Sequence, residues 1–262
     1  MIALAELERD WRERRALGRF ADAYLHRAVH ETSIGHVHGR DALTADALRE
    51  LAELPPQTVT IEADLGDMIA YRIESGAGSW RGHRWARREG GRIAAEILVE
   101  ETEARCVAAG SNAAEAARKL AASIPAHHPL GELSAGRGQL AAAADVPLPP
   151  GFPEAAHAAA QWLHRLWNGR ELDLAPESGL EARLLSQTLG AVLLVEQGIA
   201  AGDRVAILWR LHGQHATKPG RRLRLIGSSL FTVENGKIVA DATLVDELAI
   251  AVQLRQPLLD YE

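Results

Sequence analysis

Cysteine is nearly absent: Cys106 is the single one in 262 residues. That excludes an intrachain disulfide and any multi-cysteine zinc or iron–sulfur site, and it fits a reducing compartment, so a cytoplasmic location is expected. Positive charge is not in excess. Lysine and arginine number 29 against 35 acids, a formal net charge of -6, and a duplex-binding protein usually needs a basic face to displace counterions. No nucleic-acid partner is expected. Long apolar runs are missing too: none approaches the ~20 residues of a membrane helix, and Met1 to Arg15 is charged from Glu6 onward, unlike a signal peptide. No membrane partner is expected. There is no GxSxG elbow, no Walker loop and no paired-cysteine motif, so serine-hydrolase, nucleotide-hydrolase and thiol-redox chemistry have no support. Gly136-Arg137-Gly138-Gln139-Leu140-Ala141 mimics a dinucleotide fingerprint, but no strand precedes it. It is set aside, and no cofactor is called for.

What remains is an ordinary globular composition, 47% hydrophobic and 24% charged, at a length suited to one large domain or two small ones. An internal repeat favours two. Tyr24-Leu25-His26-Arg27 matches Trp162-Leu163-His164-Arg165, both in helical-looking stretches, and each is followed by a strand signal, Gly66 to Arg72 and Gly202 to Arg210. Gly90-Gly91-Arg92-Ile93 then matches Asn235-Gly236-Lys237-Ile238, and both read as tight hairpin turns. The expected division is a first domain over 1–104, a helical and Pro/Gly-rich linker over 105–150, and a second domain over 151–262. Helices first and strands afterwards is an α+β order.

This order resembles the nuclear-transport-factor-2-like (NTF2-like) superfamily, and the second copy resembles its SnoaL-like polyketide cyclases, or ester cyclases. Trp167-Asn168, Trp209, His215, Gly236-Lys237-Ile238, Asp246 and Gln253-Leu254 carry the likeness. The first copy is similar through Ile34 to Leu43 and departs where chemistry would sit, with Glu101 in the place of Asp246. The resemblance implies two tandem cone-shaped, cystatin-like α+β barrels, each with N-terminal helices on a curved antiparallel sheet. It also implies cofactor-free acid–base chemistry, of cyclase or isomerase type, on a small hydrophobic carbonyl ligand. A tandem pair implies an intrachain pseudo-dimer that is monomeric in solution.

Strand alternation supplies the residues. A two-residue turn at Asn235-Gly236 would pair Ser229 with Ala242 and set Asp246 opposite Leu225, on a face with Gly227, Ser229 and Phe231. A carboxyl there would be desolvated and suited to general acid or base work, or it is a solvated strand-end residue, or it partners an arginine. His215 shares the parity of Trp209 and would polarise a carbonyl or tune Asp246, or is simply hydrogen-bonded. Asn168 would bind a carbonyl or end its helix; Trp162, Trp167 and Trp209 would wall the pocket, with Ser229 beside them. Glu101 with Trp80 opposite it would form a second, divergent site, or the first domain is a structural partner that replaces the second subunit of a homodimer. The rival reading is a non-catalytic ligand-binding or protein-assembly module in which these residues are structural.

Two signals are demoted. His26 and His30, read as one helical turn apart, and His36 and His38 lack a third ligand, so no metal is expected. Arg81, His83, Arg84, Arg87 and Arg88 with Trp80 and Trp85 form a basic-aromatic run, read as a solvated sheet face or interdomain ion pairs with Glu96, Glu100 and Glu101.

Overall fold

The computed structural model describes residues 2–123, 146–174, 179–218 and 220–255. The chain divides into two compact units, Met1–Ile124 with Leu244–Arg255, and Pro125–Thr243 with Gln256–Glu262. Both are α+β.

Unit 1 opens with α1 (Leu4–Arg12) and α2 (Leu17–Ala23), then β1 (Tyr24–Thr32), β2 (His36–His38) and α3 (Arg40–Glu53). Four strands follow as a meander, β3 (Gln57–Asp64), β4 (Met68–Ser75), β5 (Gly78–Glu89) and β6 (Arg92–Glu100), before α4 (Thr102–Ala108) and α5 (Ala113–Ser123). The sheet order is β2-β1-β6-β5-β4-β3, antiparallel except where β1 runs parallel to β6. Its register shifts at Tyr24/Val29, Ile61/Ala63 and Arg87/Arg88, and such bulges bend a strand and increase its twist. The stripe Leu4, Leu7, Glu8, Trp11 and Arg12 of α1 is buried. Around it lie Phe20, Tyr24, Tyr71, Ile73, Trp80, Ile93 and Leu98.

Unit 2 has α6 (His157–Trp167), α7 (Leu180–Gln187) and the meander β7 (Thr188–Ala201), β8 (Arg204–His215), β9 (Arg222–Glu234) and β10 (Lys237–Val245), in sheet order β10-β9-β8-β7. β7 is bulged against β8 at Leu189/Val192 and Val195/Gln197. Ala159, Ala160, Leu163, Leu166 and Trp167 form the buried stripe of α6. The last element, α8 (Leu248–Gln253), belongs to unit 1: Gln253 Nε2 donates to Ser33 O. The sequence division had carried the second domain through to residue 262.

Each unit therefore sets helices before a four-stranded antiparallel meander. The hairpin half of the repeat is seen, with left-handed backbone at Gly90-Gly91 and Asn235-Gly236, as type I′ turns require. Its helical half is a mismatch, because Tyr24–Arg27 opens strand β1 whereas Trp162–Arg165 lies in α6. Tertiary pairing of β1 with β6 overrides the local pattern there. His26 and His30 are thus not one helical turn apart. Among the described residues no three His, Cys, Asp or Glu side chains form a metal-holding group. The linker sequence 126–145, with the fingerprint mimic, lies outside the described residues.

Candidate functional site

The residues expected to act in the second domain are built into structure. Asn168 follows the last turn of α6, where its Nδ2 donates to Leu193 O (3.1 Å) and its Oδ1 accepts from Leu193 N (2.7 Å). Leu193 lies on edge strand β7, so this amide satisfies backbone groups that have no second strand to pair with. Trp167 and Trp209 are fully buried and packed on each other, centroids 5.3 Å apart. Gly227 makes that possible, since a Cβ there would stand 2.2 Å from the Trp209 ring. Trp209 Nε1 donates to Ser229 Oγ (2.9 Å), which meets Thr243 Oγ1 at 2.8 Å. Ser229 therefore shares its face with Thr243, not Ala242, and the expected register is off by one at this level of the hairpin. Half-buried Trp162 sits edge-on to Phe231 at 5.5 Å. These side chains pack against one another in unit 2.

Asp246 and His215 are held in different units. β10 ends at Val245, and Asp246 turns the chain into α8, its Oδ1 accepting from Leu248 N (3.2 Å) and its Oδ2 from Thr102 Oγ1 (2.7 Å). Burial pushes its carboxyl up to about 7, against the Thr102 hydroxyl and the Arg105 charge. Of the alternatives open for Asp246, the buried carboxyl is the one found, and it lies in unit 1. His215 ends β8, and its Nδ1 accepts from Thr217 N at 3.2 Å. Glu101 precedes α4 and binds Arg81 through both its guanidinium (2.7 Å) and its backbone amide (2.8 Å). Trp80 lies in the unit 1 core.

That core holds what the sequence reading missed. Arg12 and Arg84 are completely buried. Arg12 pairs with Glu8 one turn back on α1, with Glu50 of α3 (2.6 Å) and with Glu100 of β6 (2.6 Å). Tyr71 also donates to Glu100, at 2.6 Å. Arg84 reaches Glu8 (3.0 Å) and Glu96 (3.4 Å), and its Nη1 donates to Tyr24 Oη (3.2 Å). Tyr24 in turn donates to Glu96 Oε2 (2.7 Å), and His30 Nδ1 meets Glu96 Oε1 at 2.5 Å. Arg105 of α4 joins at Glu50 (2.9 Å). Four carboxylates thus face three guanidiniums in one connected network.

Burial would drive these charges out, and their mutual attraction reverses that. Desolvation raises Glu96, but Arg84 and then His30 outweigh it and hold the carboxyl at about 2. Desolvation likewise opposes Arg12 and Arg84, and the neighbouring glutamates leave both well above their ordinary values. Burial raises both tyrosines, Tyr24 next to Glu96 and Tyr71 next to Glu100. The basic run of β5 therefore splits. Arg84, on the parity of Trp80, Gly82 and Ala86, points inward and is not a solvated residue, whereas Arg81, Arg87 and Arg88 pair with Glu101, Glu89 and Asp67. The expected partners Glu96 and Glu101 are real, and these pairs lie within unit 1. A signal for the network was present: Glu8 and Arg12 occupy the same 3.6-residue stripe as Leu4, Leu7 and Trp11.

The His30–Glu96 pair has the chemistry of an oriented base. In the neutral imidazole, Nδ1–H donated to the Glu96 carboxylate would leave the lone pair on Nε2. The His30 side chain is 15% exposed against 1% for Glu96, so it stands where the charged interior meets solvent.

No known protein family matches the chain by its sequence pattern, and no curated protein matches it. Several solved structures are similar to parts of it. A presumed polyketide cyclase from Bacillus cereus ATCC 10987 is 17% identical at TM-score 0.34, over 42% of this chain and 97% of that one. A presumed SnoaL-like polyketide cyclase from Jannaschia sp. CCS1 is 16% identical at TM-score 0.33, over 44% of this chain and all of its own. An NTF2-like protein of unknown function from Cytophaga hutchinsonii ATCC 33406 is 10% identical at TM-score 0.30, over 38% of this chain and 92% of that one.

Proposed function

We propose that the chain is a small-molecule enzyme whose acid–base site lies in unit 1, with His30 as the base. The observation that carries this reading is the His30–Glu96 pair, a partly exposed imidazole fixed by a carboxylate that the interior keeps ionised. Tyr24 and Arg84 hold Glu96 from the other side and keep it from taking a proton. The substrate is a small, partly apolar carbonyl compound. His30 Nε2 takes the proton on the carbon next to the carbonyl, the C–H electron pair moves into an enolate, and the imidazolium returns the proton at another position or to another atom. No cofactor enters this scheme, which is of isomerase or cyclase type.

Proton abstraction is measurable without knowing the natural substrate. In D2O, small cyclic ketones and 1,3-diketones should exchange their acidic C–H faster with the protein than in buffer, and His30→Gln should lower that gain by ~10²-fold or more. Exchange no faster than in buffer across the panel, or unaltered by His30→Gln, removes the enzyme reading. A second reading, a non-catalytic binding or assembly module, is favoured by one observation: Glu8, Glu50, Glu96 and Glu100 each already have a guanidinium partner. Under it His30→Gln changes stability alone.

A further inference from the structure

One buried carboxyl takes no part in the acid–base scheme. Asp246 joins β10 to α8, and both hydrogen bonds that hold it come from uncharged donors, Thr102 Oγ1 on α4 (2.7 Å) and Leu248 N on α8 (3.2 Å). They tie the start of α8 to the start of α4. The charges around Asp246 are engaged with one another. Arg105 of α4 pairs with Glu50 of α3 (2.9 Å) and Glu100 of β6 (3.5 Å), and Glu100 also takes Arg12 and Tyr71. Burial pushes the Cys106 thiol of α4 up against Arg105, with Asp246, Glu50 and Glu53 adding to it. On α5, which packs against α8, the buried positions are Ala116, Ala117 and Ala121, while Lys119 pairs with Glu115 at 2.7 Å. Leu248–Gln253 itself has no ionisable side chain, and Glu247 before it is half-buried. Burial therefore outweighs the pull of Thr102 and Arg105, and the Asp246 carboxyl stands at about 7.

The other end of α8 touches the hairpin that carries the proposed base. Gln253 Nε2 donates to Ser33 O at 3.5 Å. Ser33 lies in the turn between β1 and β2, where Thr32 N donates to Gly35 O (2.7 Å) and Thr32 Oγ1 accepts from Ile34 N (3.2 Å) and Gly35 N (3.1 Å). His30 stands three residues earlier, opposite Val37. Between these two anchors Leu248, Ala249, Ile250 and Val252 are buried, a packing that pH leaves unaltered.

We propose that α8 is a pH-sensitive strap on unit 1: ionisation of Asp246 frees α8 from α4 and, through Gln253, loosens the β1–β2 turn beside His30. The strap stands independently of the acid–base reading, and its meaning as a control on His30 rests on that reading. The physical reason is solvation. With α8 docked, the carboxylate would keep its charge in a buried setting with two neutral donors; with α8 released it is hydrated, and an aspartate in water ionises near ~3.9. Opening between these two values releases a proton. It therefore becomes easier as pH rises from 4 through 7 and levels off above. Local opening of one short element costs less than unfolding the whole unit.

The test is amide hydrogen exchange on the intact chain at pH 5 and pH 8, each rate compared with that of an unstructured chain at the same pH. Protection over 249–254 should fall by about 10- to 100-fold from pH 5 to pH 8. The Thr32, Ile34 and Gly35 amides should lose protection with it, while β4 and β5 keep theirs. In Asp246→Asn the protection should stay high at both values. If that variant fails to fold, Thr102→Val, which removes one of the two donors to the carboxylate, should speed exchange over 249–254 at pH 8 by a further factor of about 10. Equal protection at both pH values, a pH-dependent loss that survives in Asp246→Asn, no acceleration in Thr102→Val, or a loss spread evenly over β4 and β5 overturns the strap. Loss over 249–254 with the turn unaltered overturns its link to His30. No turnover enters the readout, so the strap and the base fail separately. Release of α8 with no His30-dependent proton exchange keeps the strap and removes the base. His30-dependent exchange in a chain whose α8 is indifferent to pH does the reverse.

Discussion

Two carboxyls with opposite shifts show what a single buried residue contributes. Glu96, held at about 2, lies below its unfolded value of ~4.3, so its contribution is present above that unfolded value and is lost as pH falls through 2. Removing its charge leaves Arg84 buried and short of a counter-ion. Glu96→Gln is expected to cost about 3–5 kcal/mol at pH 7, read as a lower urea midpoint; a loss under ~1 kcal/mol would mean the network relaxes around the change. Asp246 works the other way. Raised to about 7 from ~3.9 in the unfolded chain, it makes the fold bind an extra proton between those values, so stability falls as pH rises from 4 through 7. Asp246→Asn keeps an oxygen acceptor for Leu248 N and turns an amide N–H toward the Thr102 hydroxyl, which can accept it, without the charge. The variant should be more stable than the natural chain at pH 8, by up to roughly 4 kcal/mol, and the difference should shrink at pH 5. Equal pH slopes would place the titration elsewhere.

At the level of elements, the helix-to-edge-strand bond through Asn168 is the clearest dependency. Asn168→Ala removes both bonds to Leu193 and leaves a backbone amide and carbonyl of β7 unpaired in a buried setting. A loss of about 1–3 kcal/mol is expected, with faster amide exchange at Leu193; protection as in the natural chain would show that another group takes over. The sequence suggested that Asn168 matters and left its task open between ligand carbonyl and helix end. Sequence patterns also yielded both hairpin turns, because Gly-Gly and Asn-Gly are the residues that accept left-handed backbone at two successive positions. They missed β1. Tyr24 to Thr32 is a strand because its backbone pairs with β2 and β6, and neither partner is visible in the local pattern.

For the whole molecule, the notable fact is that unit 1 is discontinuous in sequence. Its last helix, α8, arrives after the entire unit 2 sheet, and Asp246 and Gln253 bond to Thr102 and Ser33. A chain ending at Thr243 should therefore lose stability in unit 1, seen as an earlier thermal transition and faster proteolysis within 1–124, while the β7–β10 meander keeps its protection. Protection unchanged throughout would show that α8 is dispensable. A reading that closes each domain with its own hairpin has no reason to send the last helix back to the first.

The chain's own composition and local pattern determined the α+β class, the two meanders closed by tight turns, and the aromatic residues of unit 2, because these follow from hydrophobic period and backbone preference between near neighbours. Tertiary structure alone decided where the buried charges gather. Glu8 and Arg12 come from one helix, α1, and Tyr24, His30, Arg84 and Glu96 from three strands, β1, β5 and β6, and read one at a time each is an ordinary polar residue. Only when the sheet bends over α1 are their charges removed from water together, and there the neutralisation of one by the next is what makes their burial tolerable.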